Sequence, residues 1–249
     1  MTGVKIRTLG RRRIAWRGAS LAVALLTPCT ALVAQTPSVV PAATANLEGV
    51  WQIATPTGSL KPVAGAIPFT AEGRKAYERN KALKARKDYD AYDIATSRCS
   101  TPGVPRLMLT PKRFKIWQQQ NVVTFDFEWN RAIRQIDVRG LSVDPPVVPN
   151  MTGVSKGHWE GDSLVATTSD VSERTLIDDL VPHSIDMKVT EQIRLVDANT
   201  LEDRVTIADP VNFTQPWTSV ITYKRQPDAA FPEDVCMDRI AKHQSAFAS

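Results

Sequence analysis

The segment from Ser169 to Asp186 gathers Asp170, Glu173, Arg174, Asp178, Asp179, His183 and Asp186, a density of acids and bases that could move protons. His183 follows Pro182, whose ring restricts the backbone ahead of it. A histidine held by Asp178 or Asp179 would have its tautomer set and its basicity raised, as a general base requires. Arg134 is the candidate to stabilise negative charge developing in such a reaction. The same residues admit a plainer account, in which His183 caps backbone groups in a loop beside solvated acids.

A second group suits binding rather than catalysis. Asp126 and Glu128 share one face of the alternating stretch Asn121 to Trp129, and Arg134 lies across the hairpin that follows. Pointing inward, a carboxylate and a guanidinium would grip a polar group in a partly apolar cavity, where a pair is tolerable and a lone charge is not. Pointing outward, they are the solvated face of a strand whose core face is Val123, Phe125, Phe127 and Trp129. Glu191 and Arg194 pose the same alternative. Tryptophans at 51, 117, 129, 159 and 217 offer flat walls for an aromatic ligand. Trp217, beside Pro216, is the preferred contact; Trp51 is read as structural.

Other chemistries find little support. His158, His183 and His243 are the three histidines and none stands four residues from another, so a histidine-built metal site is not expected. His158-Trp159-Glu160 has the His-x-Glu half of a zinc deaminase, without the Cys-x-x-Cys that must follow. There is no Gly-x-Ser-x-Gly elbow, no glycine-rich phosphate loop and no dinucleotide fingerprint, so no cofactor is expected. Sequons stand at Asn150 and Asn212.

The elements that must position these residues are mostly strands. Leu47 to Ile53 alternates as a first strand, and Thr70 is placed to cap a charged surface helix running through Tyr77 and Leu83 towards Lys87. Strand signals dominate from Pro105: Asn121–Trp129, Ala132–Val138, a hairpin of Gly153–Trp159 and Ser163–Thr168 about Glu160-Gly161-Asp162, a second of Met187–Val196 and Leu201–Ala208, and Pro216–Lys224. A C-terminal helix follows. Successive strands on short turns predict an all-β antiparallel meander, and closing about ten strands into a barrel removes exposed edges. A two-sheet sandwich is the alternative.

Residues 1–34 have the layout of a signal peptide: Arg11, Arg12, Arg13 and Arg17 precede an apolar run from Ala19 to Ala34, interrupted by Pro28. The run lacks the length and charged flank of a membrane anchor, so stable membrane insertion is not expected. Residues 35–46 read as a flexible Pro/Ala/Thr lead-in and 47–249 as one domain, periplasmic or secreted. Cleavage before Cys29 as a lipoprotein and twin-arginine export through Arg11-Arg12 are alternatives. The leader carries six of the 31 Lys and Arg and none of the 26 Asp and Glu. The remainder is therefore nearly neutral, which removes the basic pI as a reason to expect nucleic acid. Cys99 and Cys236 remain in a compartment where disulfides persist and are read as a bridge, two buried thiols being the alternative.

Gly49-Val50-Trp51 resembles the Gly-x-Trp of lipocalin-like barrels, whose tryptophan plugs the closed end. The stretches Cys99–Arg106, Gly157–Val165, Pro182-His183-Ser184, Asp209-Pro210 and Pro216-Trp217 together resemble a family of exported bacterial proteins of largely undescribed function. The resemblance spans most of the chain after the leader and implies the disulfide and a lipocalin-like barrel, but no activity. Ser100-Thr101 departs from a usual second proline, and Ser163 from a usual threonine.

Three functions follow as expectations. The first is a barrel holding a small apolar or aromatic molecule in its interior, with Glu128, Trp129, Arg194 and Trp217 as contacts and 169–186 as a gate. The second is a cofactor-independent lyase, isomerase or hydrolase built on His183, Asp178, Asp179 and Arg134. The third is an envelope protein that contacts other proteins. Oligomeric state is left open.

Overall fold

A computed structural model describes residues 45–140, 148–227 and 230–242; the expected leader, most of the expected lead-in and His243 lie outside them. Nine strands close into one barrel in chain order: β1 Gly49–Ile53, β2 Phe114–Gln118, β3 Val122–Phe127, β4 Ile133–Asp137, β5 Val154–Glu160, β6 Ser163–Ser169, β7 Lys188–Asp197, β8 Thr200–Ala208 and β9 Trp217–Gln226. β9 pairs with β1, so the sheet has no free edge and the sandwich alternative is excluded. Neighbours are antiparallel except β4 and β5, which run parallel through Ile136↔Ser155 and Asp137↔Lys156 alone. The chain leaves β4 at one end of the barrel and enters β5 part-way back along the wall, which breaks the expected meander once.

Alternation decides which side chains enter the barrel. Val123, Phe125 and Phe127 of β3 face in, as do Val189 and Ile193 of β7, Leu201, Val205 and Ile207 of β8, and Ile221 and Tyr223 of β9. Phe114 meets the Tyr223 ring edge-on at 5.0 Å and packs against Phe125 and Phe127. Each such side chain contributes about 1.5–3 kcal/mol by leaving water. The lumen is thereby occupied by bulky side chains rather than left open.

The two ends differ. At one, tight connections at 119–121, 161–162 and 198–199 join the strands, and Trp51 lies there fully buried. Its indole donates to the Leu47 carbonyl at 3.0 Å, and the Arg225 guanidinium stacks over its ring at 4.1 Å. Gly49 has φ +137°, and a Cβ there would come within 2.2 Å of Arg225 Nη1, so glycine is required beside this stack.

At the other end the long connections collect into a cap. It holds α1 (Ala71–Ala85), α2 (Ile94–Arg98), short 3₁₀ turns at Tyr89–Ala91 and Arg106–Leu109, and α3 (Cys236–Ala241). Thr70 caps α1 as expected, its hydroxyl accepting from Gly73 N at 3.0 Å. Gly73 of α1 lies where a Cβ would meet the Asn212 carbonyl at 2.2 Å, and Asn80 donates to the Leu180 carbonyl at 2.9 Å. α1 is thus fastened to two cap loops despite its charged surface. Cys99, at the end of α2, is bridged to Cys236 at the start of α3. Asn130, in the β3–β4 turn, accepts from Cys236 N at 2.7 Å.

Candidate functional site

The residues expected to act together at His183 are distributed over three places. His183 is buried, with Nδ1 2.9 Å from the Ser184 carbonyl and Nε2 2.8 Å from Thr175 Oγ1. Burial holds the ring below the ordinary histidine range, against weaker opposing pulls from Ser184 and Asp209. Nδ1 faces a carbonyl and so donates to it, while Thr175 Oγ1, beside Nε2, also lies 3.0 Å from the Ser172 carbonyl. The carboxylate that organises this segment is Asp209, which accepts Ser184 N at 2.7 Å and Ser184 Oγ at 2.8 Å. It acts on His183 through Ser184 rather than by touching the ring.

Asp178 takes no part at the ring. Its oxygens accept Leu60 N at 3.1 Å, Leu180 N at 2.9 Å and Val181 N at 2.9 Å, which staples the β6–β7 connection to the segment after β1. Burial raises this carboxyl in spite of the three donors. Asp179, the next residue, points into the cap and meets Arg106 and Lys84.

Arg134 stands inside the barrel, fully buried, at the register position of Phe125. It forms a two-pronged ion pair with Glu191, one arm at 2.8 Å, and donates to Thr168 Oγ1 at 3.0 Å. Its guanidinium lies 5.7 Å from the centre of the Phe125 ring. Asp203 of β8 joins them, fully buried, with no hydrogen-bond donor reaching either oxygen. Burial first, and then the Glu191 charge, push its carboxyl well above the ordinary range. Protonated, Asp203 supplies the donor that two ionised carboxylates lack and bonds to Glu191.

The other expected contacts lie elsewhere. Glu191 faces in and Arg194 faces out, because residues three apart on a strand point to opposite sides; Arg194 pairs with Glu202 at 2.8 Å on the exterior. Glu128 sits just past β3 with its carboxylate buried against Arg113. Asp126 is on the outer face, 3.7 Å from Arg131. Trp129 is packed in the core, and Trp217 is buried edge-on to Phe213 at 5.7 Å.

The site best formed by this geometry is a cavity of about 300 Å³ in the cap, and Asp179 is the one expected site residue that lines it. Pro56, Leu109 and Pro111 give it apolar surface, and Tyr89 and Tyr92 give it aromatic surface, their rings 6.1 Å apart. Its polar floor is an alternating chain of charges. Asp93 takes Arg106 in two bonds of 2.7 and 2.9 Å, Arg106 reaches Asp179 at 3.0 Å, and Asp179 reaches Lys84 Nζ at 3.1 Å. Burial alone would raise the Asp93 carboxyl, but the bonds and charge of Arg106 outweigh it and hold it below the ordinary range. Arg106 is held correspondingly high. The Tyr92 hydroxyl is buried without a hydrogen-bond partner.

Asp93, Lys84, Arg106, Tyr89 and Tyr92 were not singled out from sequence. Asp93 was legible as a helix cap: its side chain accepts Thr96 N at 3.2 Å, three residues on. Arg106 ends the stretch that begins at Cys99. Nothing local signals that Lys84 on α1 and Asp179, 95 positions later, would meet.

No family model and no curated protein matches the chain. Among solved structures, a secretary abundant heat soluble (SAHS) protein from Ramazzottius varieornatus is similar over 74% of this chain and 98% of its own, at 11% identity and a TM-score of 0.36. A point mutant of the fluorescent protein UnaG is similar over 73% of this chain and 97% of its own, at 15% identity and a TM-score of 0.33. Likenesses this low carry neither fold nor ligand to this chain; the closed barrel stands on its own strand pairing.

Proposed function

We propose that this protein is an exported barrel that binds a small aromatic molecule at its capped end. The supporting observation is the cavity of about 300 Å³ walled by Tyr89, Tyr92, Pro56, Leu109 and Pro111 over the Asp93–Arg106–Asp179–Lys84 chain. Its volume is at the small end for ligand sites, and its mix of apolar wall with a few placed polar groups is usual for them. The expected interior location moves to the cap because the inward face of the wall is filled by Trp51, Phe114, Phe125, Phe127 and Tyr223. The 169–186 connection keeps a role through Asp179, which lines the cavity.

The test is native mass spectrometry of the protein purified from its own host's envelope, with denaturing extraction of anything bound. A stoichiometric aromatic compound that is lost in Tyr89→Ala supports the reading. A compound retained at full occupancy in a Lys84→Ala/Tyr89→Ala double variant overturns it.

A further inference from the structure

The charged floor of the cap cavity ends on a cation with donors to spare, a point that bears on the ligand and rests on the binding reading above. At the buried end, Asp93 takes two donors from Thr96 and two from Arg106, and Arg106 also reaches Asp179 Oδ1 at 3.0 Å. The other oxygen, Asp179 Oδ2, accepts from Lys84 Nζ at 3.1 Å. That is the one hydrogen bond of the ammonium among the described residues, so two of its three donors remain. The Lys84 side chain is 41% exposed, so these donors are not sealed in protein. The Asp179 oxygen it holds lies against Gly58, where a Cβ would come within 2.2 Å. Lys84, Asp179 and Gly58 all line the cavity, which keeps the ammonium in its lining.

We infer that the ligand is a small aromatic carboxylate, its ring against Tyr89 and the Pro56, Leu109 and Pro111 surface and its anion on Lys84 Nζ. Asp93, Arg106, Asp179 and Lys84 alternate in sign from the buried end outward, and an anion is what continues the series. Asp179 opposes such an anion only weakly, because Arg106 shares its charge. Arg86 and Lys87, exposed at the end of α1, add to the positive field; of the acids that follow, Asp90 is already paired with Arg98 at 2.9 Å, which leaves Asp88. An ammonium bonds a carboxylate more strongly than a neutral carbonyl, but exposure keeps the gain modest, so the apolar wall must supply much of the affinity.

Three probes on one bicyclic ring test this: naphthalene-2-carboxylate, naphthalene-2-carboxamide and 2-naphthylmethylammonium, titrated calorimetrically at low ionic strength into the wild-type protein, Lys84→Met and Lys84→Arg. The expected result is the carboxylate binding about fivefold more tightly than the carboxamide, with the ammonium weakest. Added salt should shrink that preference. In Lys84→Met it should fall to unity or below, with carboxamide binding showing that the cavity is intact, and in Lys84→Arg it should persist. A carboxylate preference that survives in Lys84→Met overturns the inference, since another group would then hold the anion. Carboxamide or ammonium binding at least as tight as the carboxylate in the wild type sinks the ligand class while leaving the aromatic-binding reading intact. Failure of all three probes removes both.

Discussion

Buried charge in this protein is handled differently at two places, and the difference follows from how many donors each offers. In the cap, Asp93 receives four donors and stays ionised in its pair with Arg106. In the lumen, Arg134 serves Glu191, and Asp203 is left with no donor and keeps its proton. The consequence for stability has a definite sign. A carboxyl whose folded pKa is raised binds its proton in the native state while the unfolded chain releases it, so stability falls as pH climbs above the unfolded value. The groups facing Asp203 are Glu191, Arg134 and Tyr223. Asp203→Asn supplies a permanent N–H to Glu191 and is expected to be more stable than wild type by about 1–3 kcal/mol at pH 7. The gain should shrink towards zero as pH is lowered to about 4, near the unfolded carboxyl. Urea melts at several pH values measure it, and a gain independent of pH would show that Asp203 is ionised.

Among the elements, the short helix α2 carries more than its length suggests. It is only five residues, too short to be stable alone, yet its N-cap is Asp93 and its Thr96 lines the cavity. Its far end, Cys99, adopts φ 53° and is bridged to Cys236 on α3, which is itself fastened to the β3–β4 turn through Asn130. The disulfide therefore holds one wall of the cavity as well as closing a long loop. Cys99→Ser/Cys236→Ser is expected to lose about 2–5 kcal/mol of stability. It should also weaken binding at the cap, where a variant of equal destabilisation made in the barrel wall would not. Chemical denaturation paired with probe titration separates the two effects.

At the scale of the whole molecule, a barrel closed without edges divides the work between its ends. Tight turns and the Trp51–Arg225 stack seal one end; Arg225 donates to the Glu48 carbonyl at 2.7 Å and the Ala198 carbonyl at 2.8 Å, tying β1, β9 and the β7–β8 turn. The other end carries the connections that build the cavity. Arg225→Ala should therefore cost stability, about 1–2 kcal/mol from the stacking and hydrogen bonds removed, and leave probe affinity at the cap unchanged. Thermal melts and the same titrations check both halves, and a change in affinity would mean that the two ends communicate through the wall.

Local patterning already contained the barrel. Alternation over 121–129, the Gly161 turn, the two long hairpins and the Thr70 cap are short-range properties, because a strand's faces and a helix's first turn depend on residues a few positions apart. Two cysteines left after the expected leader were enough to pair. Arg194 shows the limit of careful reading, since parity with Glu191 was available from spacing and places it outside. The site was another matter. Lys84, Asp93, Arg106 and Asp179 lie on four separate elements, and each alone reads as an ordinary surface charge or cap. Their meeting depends on how the connections fold back over one end of the barrel, and on Asp178 and Gly58 stapling two of those connections together, with Asp179 N 2.9 Å from the Gly58 carbonyl. Long-range closure of that kind has no periodicity to leave in a sequence, so the barrel was legible and the cavity on top of it was not.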